Sequence, residues 1–446
     1  MKILLTQPIV NLIERLPPLF PDLGLGYIAS SLTDVHDVKI LDWGMQGGIS
    51  GFEAILREFH PELCGIKIFT KDVGAAIGTI EIIRSILPHC IIVLGGPHVS
   101  CSEPDELLSS FPYFDYAFNG EVEHVFPEFI QKLEQNKDVS GIAGLIWKEG
   151  NTVLWNKHTF IKEIDTLLDP AWELINPQKY SGDAYEQKKG YTSAPIITTR
   201  GCPGQCTFCS AWRVNGKAIR KRSPQRVVNE IEELYNNFNV RFFHIMDNCF
   251  TSSIEHLVEF CNEIIKKKLS IKWDCNSFER LDNLTGNNLT LMYQAGCRRL
   301  LMGVESASDV TRQTINKKVN FSAYKTVINE ANRSGIQVVA FFMLGFPGET
   351  KKAMKETIQR AYALSADEVT FSQCFPLPGS AIYEEWKKQH DIDKNDWSKY
   401  KLATSPYPVS ELSSKQVNKL VRKASIGARL RKHNRMLGNI WVRFFI

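Results

Sequence analysis

Short apolar runs alternate with stretches of helical spacing in two separate parts of this chain, and that alternation restricts its fold more than any other feature. In residues 1 to about 135, KILLTQP, VKILDW, LCGIKIF and CIIVLGG read as buried strands, with helical patterns near 24–33, 72–87 and 123–134. The pattern resumes at APIITTRG. Strand candidates there are 194–199, VRFFHIM, SIKWDC, RRLLMGV, VVAFFMLG and EVTFSQC, with helices near 224–237, 254–268, 287–295, 321–334 and 350–364. Between the two series, LIWKEGNTVLWNKHTFI reads as a small hairpin turning at Glu149-Gly150-Asn151, followed by a Pro-rich stretch without a period. The expected fold class is α/β: a doubly wound domain over 1–140, a linker over 141–190, a partial (β/α)6 barrel over 191–385, and a helical extension over 386–446. In both kinds of sheet, ligands bind beyond the carboxyl ends of the strands.

With 446 residues, 43% of them hydrophobic and 23% charged, the chain can bury two or three cores. MKILLTQPIVN reads as a first strand and not as a signal peptide, and no stretch approaches about 18 uninterrupted apolar residues, so a cytoplasmic protein is expected. The net charge of +4 gives no argument for nucleic acid. After Glu411, however, no acidic residue occurs, while Lys415, Lys419, Arg422, Lys423, Arg429, Arg431, Lys432, Arg435 and Arg443 follow. Residues 415–424 are expected to form an amphipathic helix docked on the barrel, and peripheral membrane contact through the basic tail is the functional alternative. Eleven cysteines without a secretory signal belong to packing, metal binding or nucleophilic chemistry. Cys64, Cys261 and Cys297 lie in apolar patterns and are expected to pack.

RGCPGQCTFCSAW places Cys202, Cys206 and Cys209 in a C-x-x-x-C-x-x-C run after the first barrel strand. A structural zinc site or a closed [4Fe–4S] site would need a fourth ligand, and the nearest downstream thiol, Cys249, is 40 residues on. The spacing favours a [4Fe–4S] cluster with one open iron. Cys202, Cys206, Phe208 and Cys209 resemble the motif of the radical S-adenosylmethionine (SAM) superfamily, in which the open iron chelates the amino and carboxylate groups of SAM. The resemblance implies further SAM contacts. Asp247 in HIMDNCF falls where the methionyl amine is held, with a helix-capping Asp as the alternative. Glu305 in LLMGVESAS falls near the ribose or amine, Arg280 near the carboxylate with a surface salt bridge as the alternative, and Gly345 and Gly348 in LGFPGET against the adenine. Glu349 there is equally a helix-opening acid.

The front domain resembles the cobalamin-binding, Rossmann-like domain attached to one large group of these enzymes. Its loops LGGPHVS and NGEVE, with Thr70 after the third strand, imply corrin contacts at Thr70, Gly95, Gly96, His98, Val99, Gly120 and Glu121. No G-x-G-x-x-G or phosphate loop competes for the site. The histidine motif D-x-H-x-x-G is lacking: Asp34 to Lys39 comes nearest, has no Gly, and reads as a turn. Methylthiotransferases also carry a front domain, but theirs holds a second cluster on three cysteines, and here only Cys101 of Cys64, Cys90 and Cys101 lies in a ligand-end loop.

The expected protein is a cobalamin-dependent radical SAM enzyme, most simply a methyltransferase alkylating an unactivated carbon of a small molecule or natural product through a 5′-deoxyadenosyl radical. A non-methylating cyclase, oxidase or rearrangement enzyme is the runner-up, and an iron–sulfur sensor without turnover stands in another class. The implied partners are a small-molecule substrate and an electron donor such as flavodoxin or ferredoxin.

Overall fold

A computed structural model describes the chain except residues 10–18, 43–46, 112, 151, 181, 183–188, 278–280, 391–395, 401–406 and 437–446. Two sheets organise it. The first contains β1 (Lys2–Thr6), β2 (Asp37–Leu41), β3 (Leu63–Lys67), β4 (Ile91–Gly95), β5 (Tyr116–Phe118), β6 (Leu145–Glu149) and β7 (Thr152–Trp155), in the order β2-β1-β3-β4-β5-β6-β7. β1 to β5 are parallel, whereas β6 and β7 are antiparallel. Four of the five residues of β3 are buried, as in a strand covered by helices on both faces. The helix Val73–Ile86 covers one face through Val73, Ala76, Ile80 and Ile83.

The hairpin expected within the linker is present, but it pairs onto β5 and extends the first sheet to Trp155. The three-residue strand β5 would otherwise offer an open edge, and β6 covers it. His36 lies in a turn before β2, as its sequence suggested.

The second sheet begins with β8 (Thr192–Ile196). A short antiparallel pair, β9 (Thr199–Arg200) and β10 (Arg220–Lys221), brackets the cysteine loop. Next come β11 (Val240–Ile245), β12 (Lys272–Ser277), β13 (Cys297–Glu305), β14 (Gln337–Leu344) and β15 (Glu368–Gln373), ordered β8-β11-β12-β13-β14-β15 and all parallel. This is the six-stranded partial barrel expected. Burial alternates along β14: Val338, Ala340, Phe342 and Leu344 pack under the helices, while Val339, Phe341 and Met343 are only partly buried. Cys64, Cys261 and Cys297 are all fully buried, in keeping with packing roles.

One continuous core joins the two units. Ile3, Leu5, Tyr27 and Phe126 of the front sheet and its helices belong to the same buried cluster as Ile196, Val227 and Phe243 of the barrel. Arg222 bolts the joint. Its guanidinium donates to Glu230 at 2.6 Å, to Asp169 at 2.7 Å, to the Ile197 carbonyl at 3.1 Å and to the Tyr27 hydroxyl at 3.4 Å. Trp172 donates to the other oxygen of Glu230 at 3.0 Å. The 23-residue helix Ser414–Met436 closes the far side of the barrel. Val417, Val421, Ala424 and Ala428 enter the core, so the tail helix docks as expected.

Candidate cofactor site between the two sheets

The cysteine loop leaves β9 through Gly201, whose φ of +100° is left-handed and whose Cβ, if present, would stand 2.0 Å from the Ala218 carbonyl oxygen. Only glycine fits there. The Cys202 N–H donates to the Gly216 carbonyl at 3.1 Å, and the Cys209 N–H to that of Cys206 at 3.1 Å. Cys202, Cys206 and Cys209 are partly exposed, whereas the other eight cysteines are buried. Among the described residues, no three His, Cys, Asp or Glu side chains converge on a single-ion site. Three partly exposed thiols on one curled loop have the donor chemistry that a polynuclear iron–sulfur cluster takes.

Phe208 meets Phe346 with ring centroids 5.6 Å apart, which ties the cysteine loop to the turn after β14. In that turn Gly345 has φ +86° and Gly348 φ +71°. Glu349 does not open the following helix, whose cap is Thr350. Its carboxylate folds back to accept the N–H groups of Gly345 at 2.7 Å and Phe346 at 3.2 Å. The second oxygen is buried, and burial pushes this carboxyl up to about 7 against the backbone N–H groups and the Thr311 side chain that favour its anion. Glu305 ends β13 with φ +67°, uncommon for a residue with a side chain, and its carboxylate is 3.9 Å from Lys317. Arg312 holds that bend by donating to the Val304 and Ser306 carbonyls at 2.8 and 2.9 Å.

Asp247 is buried at the end of β11. It accepts the Thr198 N–H at 2.7 Å and the hydroxyls of Thr198 and Thr199 at 2.6 and 2.8 Å. Both oxygens therefore tie β11 to the segment leading into the cysteine loop. The cap of the next helix is Ser253. Arg280 lies outside the described residues.

Between the carboxyl ends of the two sheets lies a cavity of about 700 Å³. Gly95, Gly96, Gly120 and Glu121 line it from the front domain, and Ile197, Thr199, Arg200, Met246 and Asn248 from the barrel. A Cβ at Gly95 would meet nothing within 4 Å, so a flat ring can lie against that backbone. Gly96 and Gly120 have a second reason to be glycine: at φ +93° and +84°, a Cβ would strike the Ile68 nitrogen at 2.9 Å or the His158 ring at 2.7 Å.

Thr70, His98 and Val99 stand behind this wall and do not line the cavity. The His98 ring sits edge-on to Phe111 and Trp397, with Nδ1 3.2 Å from the Thr70 hydroxyl. Burial lowers its pKa to about 3, so the ring is neutral and joins two loops. Cys64 and Cys90 lie together at the amino ends of β3 and β4, with sulfurs 3.5 Å apart, while Cys101 follows the carboxyl end of β4. The three share no site.

Sequence reading missed the charges that seal the cavity. Arg200 donates to Glu123 at 2.6 Å and packs over the Tyr27 ring at 5.3 Å. Asp22 accepts from Lys67 at 2.7 and 2.8 Å and from Gln7 at 2.6 Å. Strand ends were legible as ligand-facing, but nothing in the sequence pairs residues 45 or 77 positions apart.

Fold and site together define a class: a six-stranded partial barrel with a three-cysteine loop after its first strand and a doubly wound domain in front, the two sharing one cavity. The Radical SAM superfamily model matches residues 196–361, and the B12 binding domain model matches residues 11–130. An uncharacterized methyltransferase of Pyrococcus horikoshii, PH0819, is 30% identical over 414 residues, which span 92% of this chain and 88% of that protein. An anaerobic magnesium-protoporphyrin IX monomethyl ester cyclase of Cereibacter sphaeroides is 28% identical over 357 residues, 78% of this chain and 56% of the cyclase. Among solved structures, the radical SAM methyltransferase TsrM from Kitasatospora setae, with cobalamin and a [4Fe–4S] cluster bound, superposes with a TM-score of 0.70 at 19% identity, covering 87% of this chain and 75% of that one. The chain belongs to the cobalamin-dependent radical SAM enzymes. Its cofactors are a [4Fe–4S] cluster, SAM and cobalamin.

Proposed function

We propose that the enzyme is a methyltransferase acting on an unactivated carbon of a small molecule or natural product. One observation carries this: a single cavity is bounded by the front-domain glycine loops on one side and by Thr199 and Arg200, the lead into the cysteine loop, on the other. A methyl carrier and a hydrogen-abstracting centre can therefore address the same substrate. Cys202, Cys206 and Cys209 would hold the cluster, the 345–349 turn with Glu305 and Phe208 would receive SAM, and Gly95, Gly96 and Gly120 would face the corrin. When bound, the cluster supplies the electron that cleaves SAM, and cobalamin carries the methyl group.

The residues of the chain position and shield. Glu349 fixes the backbone of the turn, Asp247 fixes Thr198 and Thr199 beneath the cysteine loop, and Leu19, Phe20, Phe118, Phe126 and Met246 give the cavity an apolar wall that excludes water. Glu121, which lines the cavity, is also held by Arg220 and so joins the loops on either side of it. A one-electron donor such as flavodoxin or ferredoxin would complete the system.

The test is anaerobic reconstitution with iron, sulfide and hydroxocobalamin, followed by product analysis with SAM. Stoichiometric corrin retention, with formation of both S-adenosylhomocysteine and 5′-deoxyadenosine, is expected. 5′-Deoxyadenosine without methyl transfer would favour non-methylating chemistry, as the name of the cyclase relative suggests. Cys206→Ala should lose both the cluster absorbance and SAM cleavage. An intact [4Fe–4S] centre in that variant would remove the three-ligand assignment.

A further inference from the structure

We infer that the outward face of the Ser414–Met436 helix docks on an anionic lipid bilayer. The inward face is already committed. Val417, Val421, Ala424 and Ala428 are buried, the Tyr362 hydroxyl donates to the Ala424 carbonyl at 2.7 Å, and Arg431 donates to the Leu364 carbonyl at 2.8 Å. The helix is thus rigidly mounted, and its other face is offered to solvent.

That face is basic. Lys415, Lys419, Arg422, Lys423 and Arg429 are exposed and make no ion pair with a described residue, whereas Lys432 is paired with Glu368 at 2.5 Å. Steps of four, three and seven residues from Lys415 through Lys419 and Arg422 to Arg429, with Lys423 four after Lys419, align these cations along about 21 Å of helix. Ile426 and Leu430, 55% and 42% exposed, stand among them. No acidic residue follows Glu411.

A polyphosphate such as nucleic acid would engage the cations but would leave Ile426 and Leu430 bare. A bilayer with anionic headgroups engages both, the cations at the phosphates and the apolar groups at the acyl boundary. No described helix is long and apolar enough to cross a membrane, so the contact is peripheral. The inference is independent of the reaction assigned above.

Flotation of the full chain with phosphatidylcholine vesicles, with and without phosphatidylglycerol, tests it. Binding is expected only with phosphatidylglycerol, and it should weaken with salt. The triple variant Lys419→Glu, Arg422→Glu, Lys423→Glu should partition at least about tenfold less, with an unchanged thermal melt because the three side chains touch solvent. Ile426→Ser with Leu430→Ser should weaken binding while keeping its salt dependence. Failure to float with phosphatidylglycerol vesicles, an unaffected triple variant, or binding to transfer RNA without binding to vesicles would each overturn the inference.

Discussion

Arg220 of the barrel grips Glu121 of the front domain with two nearly parallel hydrogen bonds, Nη1 to Oε2 at 2.6 Å and Nη2 to Oε1 at 2.8 Å. Both side chains are almost wholly buried, and the same guanidinium reaches the Ile161 and Asn215 carbonyls at 2.6 Å. A bidentate pair in a dry site fixes angle as well as distance. It therefore sets the loop after β5 against the loop that carries the cysteines.

Glu121→Gln should weaken this joint by about 3 kcal/mol, since Arg220 would be left buried without its anion. The expected functional sign is uncoupling: SAM is still cleaved, but less product forms per 5′-deoxyadenosine. Product ratios and melting curves for Glu121→Gln, Arg220→Gln and the double variant check this, and the double variant should fall well short of the sum of the singles.

Gly95 offers a cleaner test of the corrin site, because a side chain there would enter open cavity and not strike protein. Gly95→Val should leave the melting temperature within a few degrees of the parent while lowering cobalamin retention by roughly tenfold or more through steric exclusion. Visible spectra after gel filtration measure the bound corrin. Equal retention would mean that the ring lies elsewhere.

The parallel strands and the amphipathic helices could be read from the chain because both are local patterns. Val73, Ala76, Ile80 and Ile83 mark a helix face in the sequence and bury that face in the structure. The C-x-x-x-C-x-x-C loop was legible for the same reason. Illegible were facts that depend on distant partners. That Glu121 is held by Arg220, 99 residues later, could not be read from either motif. Thr70, His98 and Val99 sit in loops that border the cavity without being among its lining residues, since sequence assigns a loop more readily than the place of each side chain. The β6–β7 hairpin was seen but not its attachment, because sheet pairing is set by which edge needs cover.

Arg222 gives a prediction about stability alone. Glu230, its partner, is fully buried, and that burial raises the carboxyl pKa. Arg222→Met removes the cation that compensates it, so a loss of about 3–5 kcal/mol is expected. Adding Glu230→Leu should recover much of that loss by replacing an orphaned charge with packing. Denaturant unfolding of the three variants measures the recovery. A double variant no more stable than Arg222→Met would show that Asp169 and Tyr27 carry the joint.

Glu349 should make stability depend on pH in an unusual direction for a carboxylate. Two backbone N–H groups and the Thr311 side chain favour its anion, but burial outweighs them and raises the pKa from 4.5 to about 7. Between those values the native protein holds a proton that the unfolded chain has released. The stabilisation is complete below the unfolded pKa and is lost as pH rises through about 7, by on the order of 3 kcal/mol. Buried His98 and His256, both shifted down, act in the opposite sense, so only a difference profile isolates Glu349. Glu349→Gln keeps an acceptor for the Gly345 and Phe346 N–H groups but cannot titrate. The variant should gain on the parent as pH is raised from 5 to 8 in thermal melts of the apoprotein, and a flat difference across that range would place the proton elsewhere.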